Sequence, residues 1–171
     1  MKKLIVGSLL LVAGFVSAQE KTSAFTGRND QKVQVGVNAQ DMGTGIMASL
    51  DYGLGESFSV GFQAGYLLGV KELNGEKPNF DDRVDVKFRA NAHLGKIIGF
   101  ADNMDLYPGL DLGLKNFGAH VGIRYFFTHG FGVFAETQFP IAKYNTNGSG
   151  FDYLNNQFNV SLGASFDISK K

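Results

Sequence analysis

Between Arg83 and Leu94 the chain reads RVDVKFRANAHL. Val84, Val86, Phe88, Ala90, Ala92 and Leu94 alternate without a break with Asp85, Lys87, Arg89, Asn91 and His93. A strand sends successive side chains to opposite faces, so this stretch has one apolar and one polar face. Its length exceeds that of an ordinary soluble strand and suits a tilted strand crossing a bilayer.

The same pattern recurs seven more times. It predicts strands over residues 32–40, 46–54, 58–68, 105–114, 119–127, 133–141 and 158–168, with 83–94 as the fourth. Ile97, Ile98 and Phe100 suggest that the fourth strand overruns into its connection, and Pro108, which has no N–H to give a ladder, marks the fifth as the weakest. Outside the N-terminal segment no stretch carries a 3.6-residue period. The expected fold is all-β: an eight-stranded antiparallel up-and-down transmembrane β-barrel.

Volume decides which face is inside. The apolar faces together hold about forty side chains, many of them Phe, Leu, Ile or Val. The interior of an eight-stranded barrel is only wide enough for side chains to fill, roughly a dozen in a soluble barrel core. The opposite face is mostly Gly, Ser, Asn and Gln with a few charges, which suits a narrow lumen. Basic groups there, such as Lys87 and Arg89, would each cost about 2–4 kcal/mol at mid-depth in lipid. The apolar face therefore points to lipid and the polar face fills the lumen.

Composition changes this picture little. The 171 residues include 23 Gly, 16 Phe and no Cys, which excludes a disulfide framework, a thiolate metal site and a Cys-linked lipid anchor. Formal net charge is zero, so no field points to nucleic acid. Residues 1–18 read as a secretory signal: Lys2 and Lys3, an apolar run over Leu4–Val16, then small residues at Val16-Ser17-Ala18. Residues 19–31 read as a flexible mature leader and 32–171 as the barrel. With the N-terminus in the periplasm, the two long loops 71–82 and 143–156 fall on the extracellular side, as in such barrels. Lipid-facing aromatics form a periplasmic girdle of Tyr52, Phe58, Tyr125, Phe127 and Phe166, and an outer one of Tyr66, Phe117, Phe139 and Phe158.

Luminal charges are expected to pair. Joining strands six and seven through 128–131 sets Phe127 near Val133, which puts Arg124 opposite Glu136. Across the four–five connection the same reasoning sets Lys87 near Asp111 and His93 near Asp105, give or take two residues. Asp85 and Arg89 complete the luminal set.

With the signal, the alternating strands and runs such as Ile123–Phe127 (IRYFF) and Gly132–Gln138 (GVFAETQ), residues 19–171 resemble the small eight-stranded outer-membrane β-barrel proteins, the OmpA/OmpX-like porin family. The resemblance implies the outer membrane of a Gram-negative bacterium and a monomer among outer-membrane lipids and lipopolysaccharide. It also implies periplasmic chaperones and the barrel-assembly machinery as partners during biogenesis. Family members often end on an aromatic residue read by that machinery. This chain ends Phe166-Asp167-Ile168-Ser169-Lys170-Lys171, which leaves Phe166 as the candidate signal.

Chemistry is sparse in the sequence. His93 and His120 are luminal and His129 lies in a periplasmic turn, and none has a Ser two residues away. The expectation is a non-enzyme without cofactor or metal. Its role would be structural, in envelope integrity, or in surface interaction through loops 71–82 and 143–156. The alternatives are a small-solute channel, if the luminal glycines leave gaps, and a lipid-modifying barrel enzyme.

Overall fold

The computed structural model describes residues 22–70, 77–144, 151 and 153–169. Eight strands follow in order: β1 (Gln31–Gln40), β2 (Gly43–Gly53), β3 (Phe58–Val70), then a one-turn helix α1 (Phe80–Arg83), β4 (Val84–Ala92), β5 (Met104–Gly113), β6 (Asn116–Phe126), β7 (Phe131–Lys143) and β8 (Asn159–Asp167). Each pairs antiparallel with its sequence neighbours, and β8 pairs with β1, closing an up-and-down barrel. Closure leaves no sheet edge, so every strand has partners on both sides.

The alternation predicts the faces correctly. In β2 every second residue is exposed, with Ile46, Leu50 and Tyr52 outside and Met47, Ser49 and Asp51 inside. The exterior is apolar on every strand, from Val35 and Val37 through Phe62, Phe88 and Leu110 to Leu162. Inside, the buried residues are mostly polar or charged, among them Lys32, Arg89, Arg124, His120 and Glu136. This is the inverse of a soluble barrel. It is the arrangement of a barrel whose outer surface meets lipid.

Strand ends differ from the sequence reading. β4 stops at Ala92; Ile97 and Ile98 sit exposed in a turn where the Ile98 N–H donates to Leu94 O at 3.0 Å. β5 accommodates Pro108 because the β4–β5 ladder ends at Asn91↔Gly109, one residue before it. β6 starts at Asn116, three residues earlier than expected, and β7 runs on to Lys143. A bulge between Phe117 and Gly118, opposite Ala142 and Pro140, lets both strands continue past a proline.

Both mouths are covered. At the end that carries the termini, the stretch expected to be a loose leader is packed from residue 22 onward, with Ala24 and Phe25 buried. The Ala24 N–H donates to Asp102 O at 2.7 Å, the Asn29 N–H to Gly53 O at 2.9 Å and the Gly53 N–H to Asp30 O at 2.7 Å. At the opposite end, Phe151 and Leu154 pack on Leu67, flanked by Met42, Val70 and Tyr153. Asn155 Nδ2 donates to Asp82 O at 2.6 Å, Asn116 Nδ2 to Asn155 O at 2.7 Å, and Gln40 Nε2 to Leu154 O. The segment read as a secretory signal and residues 71–76, 145–150 and 152 of the long loops lie outside the described residues.

Candidate functional site in the lumen

Among the described residues the luminal polar side chains lie in three layers. In the middle, Arg89 Nη2 donates to Glu136 Oε2 at 2.7 Å, its Nη1 to Gln63 Oε1 at 3.1 Å and its Nε to Asn91 Oδ1 at 3.3 Å; Asp51 lies 3.5 Å from Nε. His120 bridges Asp111 (2.9 Å) and Asn91 Oδ1 (2.7 Å). Toward the mouth opposite the termini, Lys87 pairs with Asp85 at 3.2 Å and donates to Gln138 Oε1 at 3.1 Å. Beyond it a cavity of about 20 Å³, lined in part by Gln63, Lys87, Gln138 and Asn155, has room for about one water.

The layer nearest the termini has different chemistry. His93 Nδ1 lies 2.7 Å from Asp105 Oδ2, and His93 Nε2 lies 2.8 Å from Ser59 Oγ. Asp105 also accepts from Arg124 Nη2 at 3.0 Å and from the Gly95 N–H at 3.3 Å. Asn91 Nδ2 donates to Ser59 Oγ at 2.9 Å. Phe25 lies on the imidazole, ring centroids 3.5 Å apart and planes 13° from parallel. Beside it Lys32 is clamped between Asp30 (2.7 Å) and Asp167 (2.9 Å), and Asp30 also accepts from the backbone and hydroxyl of Thr26.

Glycines make room for large luminal side chains instead of leaving gaps. A methyl at Gly122 would sit 2.2 Å from the Tyr107 ring, and one at Gly109 would sit 2.4 Å from His120. Phe134 fills the space over Gly36 and Gly163 in the same way. Rings occupy the gaps at Gly109, Gly122 and Gly163, Asp51 and backbone close the one at Gly61, and Gly65 borders the small cavity.

The luminal candidates are all inside, but the expected pairs are rearranged. Arg124 does not face Glu136: Gly122 does, and Arg124 stands opposite Phe134. Glu136 is bonded to Arg89 and Arg124 to Asp105. The β6–β7 connection is the cause. Phe131 belongs to β7 rather than to the turn, its carbonyl accepting from Phe127 and Thr128, so the register slides by two. Lys87 faces Gly113 rather than Asp111, and Arg89 faces Asp111, again two residues away. A two-residue slide keeps every side chain on its face while changing its partner. The girdle residues lie outside, Tyr52, Phe58, Tyr125, Phe127 and Phe166 toward the termini and Tyr66, Phe117, Phe139 and Phe158 toward the other end.

Sequence reading missed Ser59, Asp30, Lys32 and Phe25. Ser59 is 34 positions from His93, and the long β3–β4 connection gives no register from which to infer their contact. The Asp30–Lys32 spacing, with both on one face, was the legible signal.

Among solved structures, the N-terminal β-barrel domain of Pseudomonas aeruginosa OprF is similar in fold, with a TM-score of 0.55 at 12% identity over 84% of this chain and 100% of that one. None of the curated proteins matches. Residues 15–168 match a family described as a family of unknown function (DUF6646), and the chain belongs to that family.

Proposed function

We propose that this protein is an outer-membrane barrel of a Gram-negative bacterium, exported behind a cleaved signal at residues 1–18. Its work is structural or interactive: it spans the membrane as a sealed monomer and presents loops 71–82 and 143–156 outward. Outer-membrane lipids and lipopolysaccharide are its surroundings, and periplasmic chaperones and the barrel-assembly machinery its partners in biogenesis. The observation that carries this reading is an apolar exterior wrapped around a filled, ion-paired interior. Such an exterior has no stable partner in water, whereas in lipid the closed ladder satisfies the backbone polar groups within the protein. The ring-filled lumen and its two covered mouths argue against the channel reading.

The test is location and topology. The mature protein should fractionate with outer membranes, need detergent for extraction and migrate differently on gels before and after boiling. Tags at Asn74 should be labelled on intact cells and tags at Gly130 only after permeabilisation. Reconstituted protein should be silent in single-channel recording. Recovery as a soluble periplasmic monomer overturns the proposal, and steady conductance overturns the sealed lumen.

A further inference from the structure

We propose that Ser59, His93 and Asp105 form a nucleophile site for a short acyl ester, held sealed by the N-terminal segment through Phe25. This goes beyond the structural role and does not depend on which membrane the barrel occupies.

The three groups come from separate parts of the barrel: Ser59 from β3, His93 from just after β4, Asp105 from β5. They meet at 2.8 and 2.7 Å, within the reach required of nucleophile and base, and of base and orienting acid. Arg124 Nη2 lies 3.1 Å from His93 Nδ1 as well. The Asp105 carboxylate is nearer to that nitrogen, at 2.7 Å, and can only accept, so the proton lies on Nδ1 and Arg124 donates to Asp105. Asn91 Oδ1 accepts from Arg89 and His120, which turns its Nδ2 toward Ser59 Oγ. With that donor in place, the Ser59 hydroxyl donates to His93 Nε2. His93 then carries its proton on Nδ1, where Asp105 accepts it. Asp105 is a positioning residue, fixed by Arg124 and the Gly95 N–H.

A second observation points to a missing ligand. Among the described residues Arg124 Nε and Nη1 are buried without a hydrogen-bond acceptor: the guanidinium holds Asp105 through Nη2 and lies over the Tyr107 ring, 4.8 Å from its centroid, which accepts no conventional hydrogen bond. Buried donors without partners are rare and call for an explanation. An ester supplies oxygens to them. The slot for its acyl group is the one Phe25 now occupies, flat against the imidazole. With Ser59 at 1%, Asp105 at 3% and His93 at 4% exposure, no substrate enters until that ring leaves.

With the slot open, Ser59 Oγ bonds to the ester carbonyl carbon while its proton passes to His93 Nε2. The Asn91 amide donates to the developing oxyanion. The carbon–oxygen bond to the alcohol breaks and the alcohol departs with that proton. Water, giving a proton to His93, then attacks the acyl group, so that a carboxylic acid leaves and Ser59 is restored.

The probe is a fluorophosphonate on detergent-folded full-length mature protein, with labelled peptides located by mass spectrometry and p-nitrophenyl acetate as reporter substrate. Phe25→Ala should be labelled at Ser59 faster than the unaltered protein and should release p-nitrophenol. Adding Ser59→Ala should abolish both, and adding His93→Gln should slow labelling by about a hundredfold, the lower range of general-base catalysis. Adding Asp105→Asn should slow labelling while the folded gel band persists, and Asp105→Glu should recover part of the rate. Folded Phe25→Ala protein that is not labelled at Ser59 overturns the proposal and leaves a purely structural hydrogen-bond chain. If Phe25→Ala does not fold, Phe25→Leu takes its place. If neither folds, prolonged exposure of the unaltered protein decides, since spontaneous opening must yield slow labelling at Ser59.

Discussion

The wall and the lumen of this barrel are made of the same strands, yet they use their side chains differently. Outside, Val35, Val37, Leu50 and Leu162 are exposed and meet few protein atoms, so any apolar residue of similar size would serve. Inside, Arg89 is bonded to Glu136, Gln63 and Asn91 together, and Tyr107 fits only because residue 122 is glycine. The wall is specified by a class of residue and the lumen by individual residues. A buried charge that loses its partner carries a desolvation cost nothing else offsets, whereas an apolar side chain in lipid has equivalents everywhere.

The largest effect should therefore come from the central pair. Glu136→Ala leaves Arg89 with the neutral Gln63 and Asn91 and with the more distant Asp51 carboxylate. It should destabilise the barrel by about 3–5 kcal/mol, toward the lower end because these partners remain. Urea titration of the barrel in detergent or lipid measures it. Arg89→Ala with Glu136→Ala should cost less than the sum of the singles, while Arg124→Ala with Glu136→Ala should be additive. Coupling in the second cycle and none in the first would restore the pairing that the alternation alone suggested.

Charge placed on the wall comes next. Val35, half exposed near the middle of β1, should tolerate no cation: Val35→Lys should cost about 2–4 kcal/mol in a bilayer and much less in detergent. Equal loss in both media would mean that the β1 exterior packs against protein rather than lipid.

Packing inside the lumen follows. Gly122→Ala drives a methyl into the Tyr107 ring and should cost about 1–3 kcal/mol, with Tyr107→Leu in the same chain recovering part of the loss. If Gly122→Ala is neutral, the lumen has slack, and the channel reading regains its footing.

This division also explains what the sequence disclosed. Period-two alternation is a local property, so the faces and the number of strands were legible from runs such as RVDVKFRANAHL. Partner identity depends on register, and register depends on where each turn begins. Phe131 has the character of either a turn end or a strand start. Assigning it to the turn moved Arg124 from Asp105 to Glu136. The Ser59–His93 contact was farther from view, since it depends on a hairpin whose connection includes α1. Phe25 was hidden for another reason. Its neighbours Thr26, Gly27 and Asn29 carry no periodicity, and the segment is held by Asp30, Lys32 and backbone bonds to β2 and to the β4–β5 connection.

The smallest effect should come from exchanging one apolar residue for another on the wall. Val37 is 61% exposed, the most open of the valines on the exterior. Val37→Leu adds one methylene that meets lipid tails instead of a closed cavity, so no overpacking opposes it and little is gained by burial. Loss of a β-branched residue from a strand costs a few tenths of a kcal/mol, and the net change should stay within about 0.5 kcal/mol. Urea unfolding of the two proteins side by side in the same bilayer checks this. A shift above about 1 kcal/mol would mean that this part of the wall meets a second protein surface rather than lipid, because only a shaped partner discriminates valine from leucine.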